Sequence, residues 1–213
     1  MGKRLNFSVA LLLAASFFMG TVEAKISADE AIQKLLAGNQ RYVREEVECI
    51  SGTEERRLAL FGKQQPFVAI VGCSDSRIAP EIIFDQGIGD LFVVRLAGNV
   101  VGSVALNSLE YAVKVLDVSL ILVLGHANCG AVSAVLEGKA SAIPAIAELI
   151  DPAIQESRNL PGNRLVNAIK ANVEHTVQFV RNGSLFGDAI KNNGLKVVGG
   201  YYSLETGLVE ILP

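Results

Sequence analysis

Two stretches of this chain carry residue types suited to metal chemistry: Cys73-Ser74-Asp75-Ser76-Arg77 and Gly125-His126-Ala127-Asn128-Cys129-Gly130. Together they offer two thiols and an imidazole, donors that match a borderline-soft ion such as zinc. Three protein ligands would leave one position of a tetrahedral ion open, the arrangement of a catalytic rather than a structural zinc. Water at such a position becomes acidic, so the chemistry implied is water activation. If residues 73–75 run extended, Cys73 and Asp75 point the same way and Ser74 the other. Asp75 could then reach the open position while Arg77 holds its carboxylate in a bidentate pair.

Each signal has an ordinary counterpart. A Cys after a buried strand is commonly a small core residue, and an Asp-x-Arg pair is commonly an ion pair. A Cys73–Cys129 disulfide is a further reading, but it leaves His126 and Asp75 without a role. The combination at two corresponding strand ends favours the metal. Gly130 is expected to open a helix just after Cys129, so that helical N–H groups and the positive dipole end favour the thiolate. Gly125 and Gly130 flank the loop and would let backbone approach the metal closely.

Ligands so far apart in sequence need a fold that delivers them to one point. Apolar runs at Phe67–Gly72, Leu91–Val94, Leu120–Leu124 and Lys196–Tyr202 read as strands, with a short returning strand at Val209–Leu212. Strands apolar throughout are buried on both faces, as in a parallel sheet covered by helices. Helices are expected over Ser103–Leu116, Ala131–Leu136, Ala145–Ser157 and Asn163–Arg181. Before them, Ser27 to Val47 reads as an amphipathic helix with a Ser27/Glu30 capping box, and a short helix at Glu54–Phe61 follows the Cys49-Ile50-Ser51-Gly52 turn. The expected fold class is α/β, a mainly parallel central sheet flanked by helices, with an N-terminal helical arm. In such sheets sites form at the carboxyl ends of strands, where Cys73 and His126 both fall.

Residues 1–24 are set apart as a signal peptide: Lys3 and Arg4, an apolar run from Phe7 to Gly20, and a small-x-small ending at Val22-Glu23-Ala24. That run is shorter than the roughly twenty residues a spanning helix needs. Residues 25–213 then form a single domain, long enough to bury a real core. The whole chain carries a net charge of −3, and the leader's Lys3, Arg4 and Glu23 are net positive, so the remainder is slightly more acidic. With no basic run, nothing points to nucleic acid. No glycine fingerprint for a nucleotide follows the first strand, where the chain reads Gly72-Cys73-Ser74-Asp75. The leader implies a periplasmic or secreted location and no stable membrane span after cleavage. Of the three Cys residues, Cys49 is the one left over by the metal reading.

These two motifs, with Phe92-Val93-Val94-Arg95 to Gly98-Asn99 and Gly199-Gly200-Tyr201-Tyr202 before Glu205-Thr206-Gly207, resemble the β-class carbonic anhydrases. The likeness extends over nearly all of residues 25–213. It implies one zinc per subunit on Cys73, His126 and Cys129, with Asp75 and Arg77 as the catalytic dyad. Paired to Arg77, Asp75 orients the zinc-bound water; in some members it occupies the metal instead, which makes Asp75 a candidate ligand too. The implied reaction is CO2 + H2O ⇌ HCO3− + H+, by attack of zinc-bound hydroxide on CO2. Gln86 falls near a glutamine that in one branch hydrogen-bonds substrate across the dimer interface; with Gly130 it is the candidate substrate contact. A second branch carries a non-catalytic bicarbonate site that needs a Trp where this chain has Ile70; the chain has no Trp, so inhibition of that kind is not expected. The resemblance also implies a homodimer or homotetramer. The other functions weighed are COS or CS2 hydrolysis on the same scaffold, and a non-catalytic periplasmic zinc-binding protein. His175 is read as a surface or packing residue, and Tyr201, Tyr202, water and external buffer as candidates for the proton's way out.

Overall fold

Ser27 starts the first helix as its sequence requires: its hydroxyl accepts from Glu30 N (3.2 Å), while the Glu30 carboxylate accepts from Ser27 N (2.8 Å). The helix, α1 (Ala28–Val43), ends four residues before the expected Val47. Glu45 turns left-handed at φ 59°, and Glu46 N closes back onto Arg41 O. Glu45, Glu46 and Glu48 would otherwise add negative charge at the carbonyl end of the dipole, where it is unfavourable. The computed structural model describes residues 25–48, 52–183 and 186–213. The leader at 1–24 and most of the Cys49 turn lie outside the described residues.

The remaining elements alternate as expected. After α2 (Glu54–Ala59) come β1 (Val68–Gly72), α3 (Pro80–Ile83), β2 (Leu91–Arg95), a 3-10 turn at Ala97–Asn99, and α4 (Ser103–Lys114). Then follow β3 (Leu120–His126), α5 (Gly130–Leu136), α6 (Pro144–Ser157), α7 (Arg164–Asn182), α8 (Gly187–Asn192), β4 (Lys196–Tyr202) and β5 (Val209–Ile211). Three short pieces were not legible in the sequence: α3, the 3-10 turn and α8. Each spans at most six residues, too few for a helical period to show.

The strands order as β2-β1-β3-β4-β5, with every pairing parallel except β4 with β5. Odd positions Ala69, Val71, Ile121, Val123 and Val197 pack toward α4 and α7. Even positions Val68, Ile70, Leu120, Leu122 and Leu124 pack toward α1 and α3. Both faces are therefore covered, and each buried Val, Leu or Ile contributes about 1.5–3 kcal/mol. β2 differs from the expectation of burial on both faces: Leu91–Val94 are only half-buried and Arg95 is exposed. β2 is the sheet's edge, and an edge strand lacks a neighbour to cover its outer side.

The sheet places the site. β1 and β3 are neighbours in register, with Gly72 opposite Leu124. Their carboxyl ends therefore open side by side, one into Cys73 and the other into His126-Ala127-Asn128-Cys129.

Candidate metal centre

Cys73, His126 and Cys129 converge. One ligand atom from each lies within 4.8 Å of the others, and all three residues are buried. His126 is the last residue of β3, two residues beyond the expected strand end, and its ring is fully buried. Its Nδ1 lies 2.9 Å from Ala127 O and donates to it, which leaves Nε2 as the lone-pair nitrogen. That Nε2 has no hydrogen-bond partner. A buried, unsatisfied ring nitrogen beside two sulfurs is costly unless something electropositive meets it. The donor set therefore fits a zinc ion, with Cys73 Sγ, His126 Nε2 and Cys129 Sγ as ligands.

The two thiols are not equivalent. Cys73 lies between several donors: the Cys129 thiol and the backbone N–H groups of Asp75 (3.4 Å) and Gly98 (3.2 Å). Led by the hydrogen bond from Cys129, these pull its pKa down against the cost of burial. Cys129 is pushed up, because it gives its proton to that hydrogen bond and is itself desolvated. The Ala131 and Val132 N–H groups of α5 act the other way on Cys129. This is the helix-start effect expected from Gly130, which is the first residue of α5.

Asp75 stands at the mouth of the cluster. Arg77 Nε donates to Oδ1 (2.9 Å) and Nη2 to Oδ2 (2.7 Å), and Arg77 N also donates to Oδ1 (3.0 Å). Arg77 holds the carboxyl far below the usual carboxylate range. Asp75 Oδ2 is 3.9 Å from His126 Nε2. The expected pairing is thus formed, but Asp75 stands outside the ligand group in this conformation, since both its oxygens are engaged by the guanidinium. Arg77 Nη2 also donates to Asn128 O (3.3 Å), tying the first motif to the second.

Gln86 is buried against α1, where its Nε2 donates to Phe84 O (2.8 Å) of its own chain. A Cβ at Gly125 would collide with Val173 on α7, as one at Gly199 would, 2.8 Å from the other Val173 methyl. Both glycines let α7 lie close on β3 and β4. Gly130 is exposed, with nothing within 4 Å of a Cβ added there. His175 is half-exposed on α7, with Nδ1 3.9 Å from Glu156.

Sequence reasoning quoted Arg95 within a motif but gave it no role. Its Nε donates to Cys73 O (3.0 Å) and its Nη2 to Asp75 O (2.7 Å), clamping the backbone that carries both residues. An Arg closing an otherwise apolar strand beside Cys73 was the available signal.

Comparisons with known proteins agree with this geometry. The family model described as carbonic anhydrase matches residues 68–209. The chain is 39% identical over 184 residues to carbonic anhydrase 2 of Mycobacterium tuberculosis, covering 83% of this chain and 89% of that protein. It is 39% identical over 188 residues to the carbonic anhydrase of Mycolicibacterium smegmatis, covering 85% and 91%. Among solved structures, the β-carbonic anhydrase CcaA superposes with a TM-score of 0.68 at 25% identity, covering 86% of this chain and 95% of that one.

Proposed function

Because the chain belongs to the carbonic anhydrases, in their β class, we propose that it interconverts CO2 and bicarbonate at a zinc site formed by Cys73, His126 and Cys129. The observation that carries this reading is the convergence of two sulfurs and an unpartnered imidazole nitrogen within 4.8 Å. A zinc ion bound there would lower the pKa of coordinated water, so that hydroxide is available near neutral pH.

The chain's own groups divide the remaining work. Asp75 Oδ2 faces the cluster and, being ionised, can only accept. With its proton affinity suppressed by Arg77, it is a poor base and a good acceptor: it orients the attacking water through one hydrogen bond rather than taking the proton away. Arg77 fixes that oxygen through two parallel bonds, and Arg95 fixes the backbone beneath it. The buried wall of Val100, Val132 and Ile150 keeps the sulfurs dry, which strengthens every polar contact at the site.

Two extensions belong to the proposal. Export is supported by the leader-like composition of residues 1–24; among the described residues, no helix is long and apolar enough to cross a membrane. Self-association is supported by the half-buried edge strand β2 and by exposed apolar side chains including Leu58, Phe61, Val104 and Val115.

Metal content per chain measured alongside stopped-flow CO2 hydration tests the reading. Stoichiometric zinc with turnover is expected. Zinc without turnover would assign a binding role instead, and turnover only with COS or CS2 would reassign the substrate.

A further inference from the structure

Asn172 is an anomaly on α7. Its neighbours on the buried face are Ala168, Ile169, Val173, Thr176, Val177 and Val180, yet Asn172 is fully buried and its Oδ1 has no hydrogen-bond partner. A buried acceptor left unsatisfied costs stability. The amide's other end makes one bond, from Nδ2 to Gly98 O at 2.7 Å.

Gly98 is where that bond has consequences. Its N–H donates to Cys73 Sγ at 3.2 Å. Gly98 adopts φ 71°, ψ 17°, and a Cβ there would stand 2.8 Å from Ile150 Cδ1, so only glycine fits. Glycine is also the residue least able to hold its own backbone orientation. Asn99 N, in the same peptide plane as the Gly98 carbonyl, bonds Leu96 O on the turn's inner side, and Asn172 holds the carbonyl end of that plane. Asn172 is the side chain that grips Gly98 itself.

We propose that Asn172 is a positioning residue for the metal-ligating sulfur of Cys73, acting through Gly98. Asn172 anchors the Gly98 carbonyl, the anchored residue aims its N–H at Cys73 Sγ, and that hydrogen bond fixes the direction and donor strength of the thiolate. The inference rests on the zinc reading above. It makes α7 a supporting element for both sides of the centre, because the next residue, Val173, packs against Gly125 beside His126. Partners of this kind, one bond removed from a ligand, tune affinity as well as geometry.

The test uses the full chain. Zinc in the unsubstituted protein is measured first: a chain that takes up none sinks the metal reading, and this proposal with it. Asn172→Leu and Asn172→Ala are then compared with it for zinc release to a chelator and for the sulfur-to-cobalt charge-transfer band of the cobalt-substituted protein. Release about ten- to a hundredfold faster is expected, with a displaced charge-transfer band and an unchanged far-UV circular dichroism spectrum. A folded variant with unaltered release and an unaltered band overturns the role of Asn172 while leaving the zinc reading intact. If neither variant folds, the unsubstituted protein loaded with cadmium-113 still decides. The Gly98 amide proton should show scalar coupling to the metal through sulfur, and absence of that coupling overturns the proposal.

Discussion

Asp75 and Arg77, two residues apart, lock together through Oδ1–Nε and Oδ2–Nη2 bonds of 2.9 and 2.7 Å, and the same carboxylate presents Oδ2 to His126 Nε2 at 3.9 Å. The pair is parallel and bidentate, a geometry lysine could not reproduce. Asp75 is mostly shielded while Arg77 is half-exposed, so the guanidinium caps the carboxylate from the solvent side.

Removing either partner should leave a protein that binds zinc but turns over poorly. Asp75→Asn and Arg77→Ala are each expected to lower kcat/KM for CO2 hydration about a hundredfold or more, with metal content unchanged. Stopped-flow assay of the zinc-loaded variants checks this; substantial retained activity in either would remove the pair from the mechanism.

The same ion pair has a signature in stability. Arg77 depresses the folded-state pKa of Asp75 below its unfolded value of about 3.9. A depressed carboxyl stabilises above the unfolded pKa, and that stabilisation is lost as pH falls through the folded pKa. The difference in unfolding free energy between wild type and Arg77→Ala should therefore be steady from about pH 5 upward and shrink in stronger acid. Denaturant titrations at a series of pH values measure it. A difference that grew as pH fell would contradict the assignment.

The catalytic pH profile should rise above neutrality. Two thiolates offset the charge of a divalent ion, whereas three imidazoles leave it intact, so water at this site should be less acidic than at a three-His zinc with a pKa of about 7. Asp75 contributes no limb in the working range, being ionised throughout. A kcat/KM profile already flat below pH 7 would argue against a two-sulfur ligand set.

Cys73→Ser, His126→Ala and Cys129→Ser should each abolish stoichiometric zinc. Affinity should also fall as pH drops, since Cys129 resists ionisation more than Cys73 and the imidazole must be neutral. Metal analysis after dialysis at graded pH reads this directly. Full zinc occupancy in any of the three would place the ion elsewhere.

Gly125→Ala should destabilise by about 1–3 kcal/mol through collision with Val173. If close packing of α7 is the reason, Val173→Ala in the same chain should return part of the loss, a coupling that a double-mutant cycle measures. Purely additive effects would mean that Gly125 serves something other than the helix.

The Cys73, His126 and Cys129 cluster and the Asp75–Arg77 pair were legible because their chemistry is written in residue type, and because strand-length apolar runs end directly before Cys73 and near His126. The order of apolar segments likewise fixed the α/β class, since Val68–Gly72 and Leu120–Leu124 have no polar face to give to water. What the sequence could not fix were relationships across the sheet. Nothing along the chain showed that Val173 packs against Gly125, or that the Gln86 amide bonds Phe84 O, and Asn172 looked like one polar position on a long helix. A period or a motif reports on neighbours along the chain, whereas these roles depend on which atoms the pairing of β1 with β3 and the seating of α7 bring within hydrogen-bond or van der Waals reach. Residue identity determined the donors available to a metal; packing decided which of them are aimed, braced and kept dry.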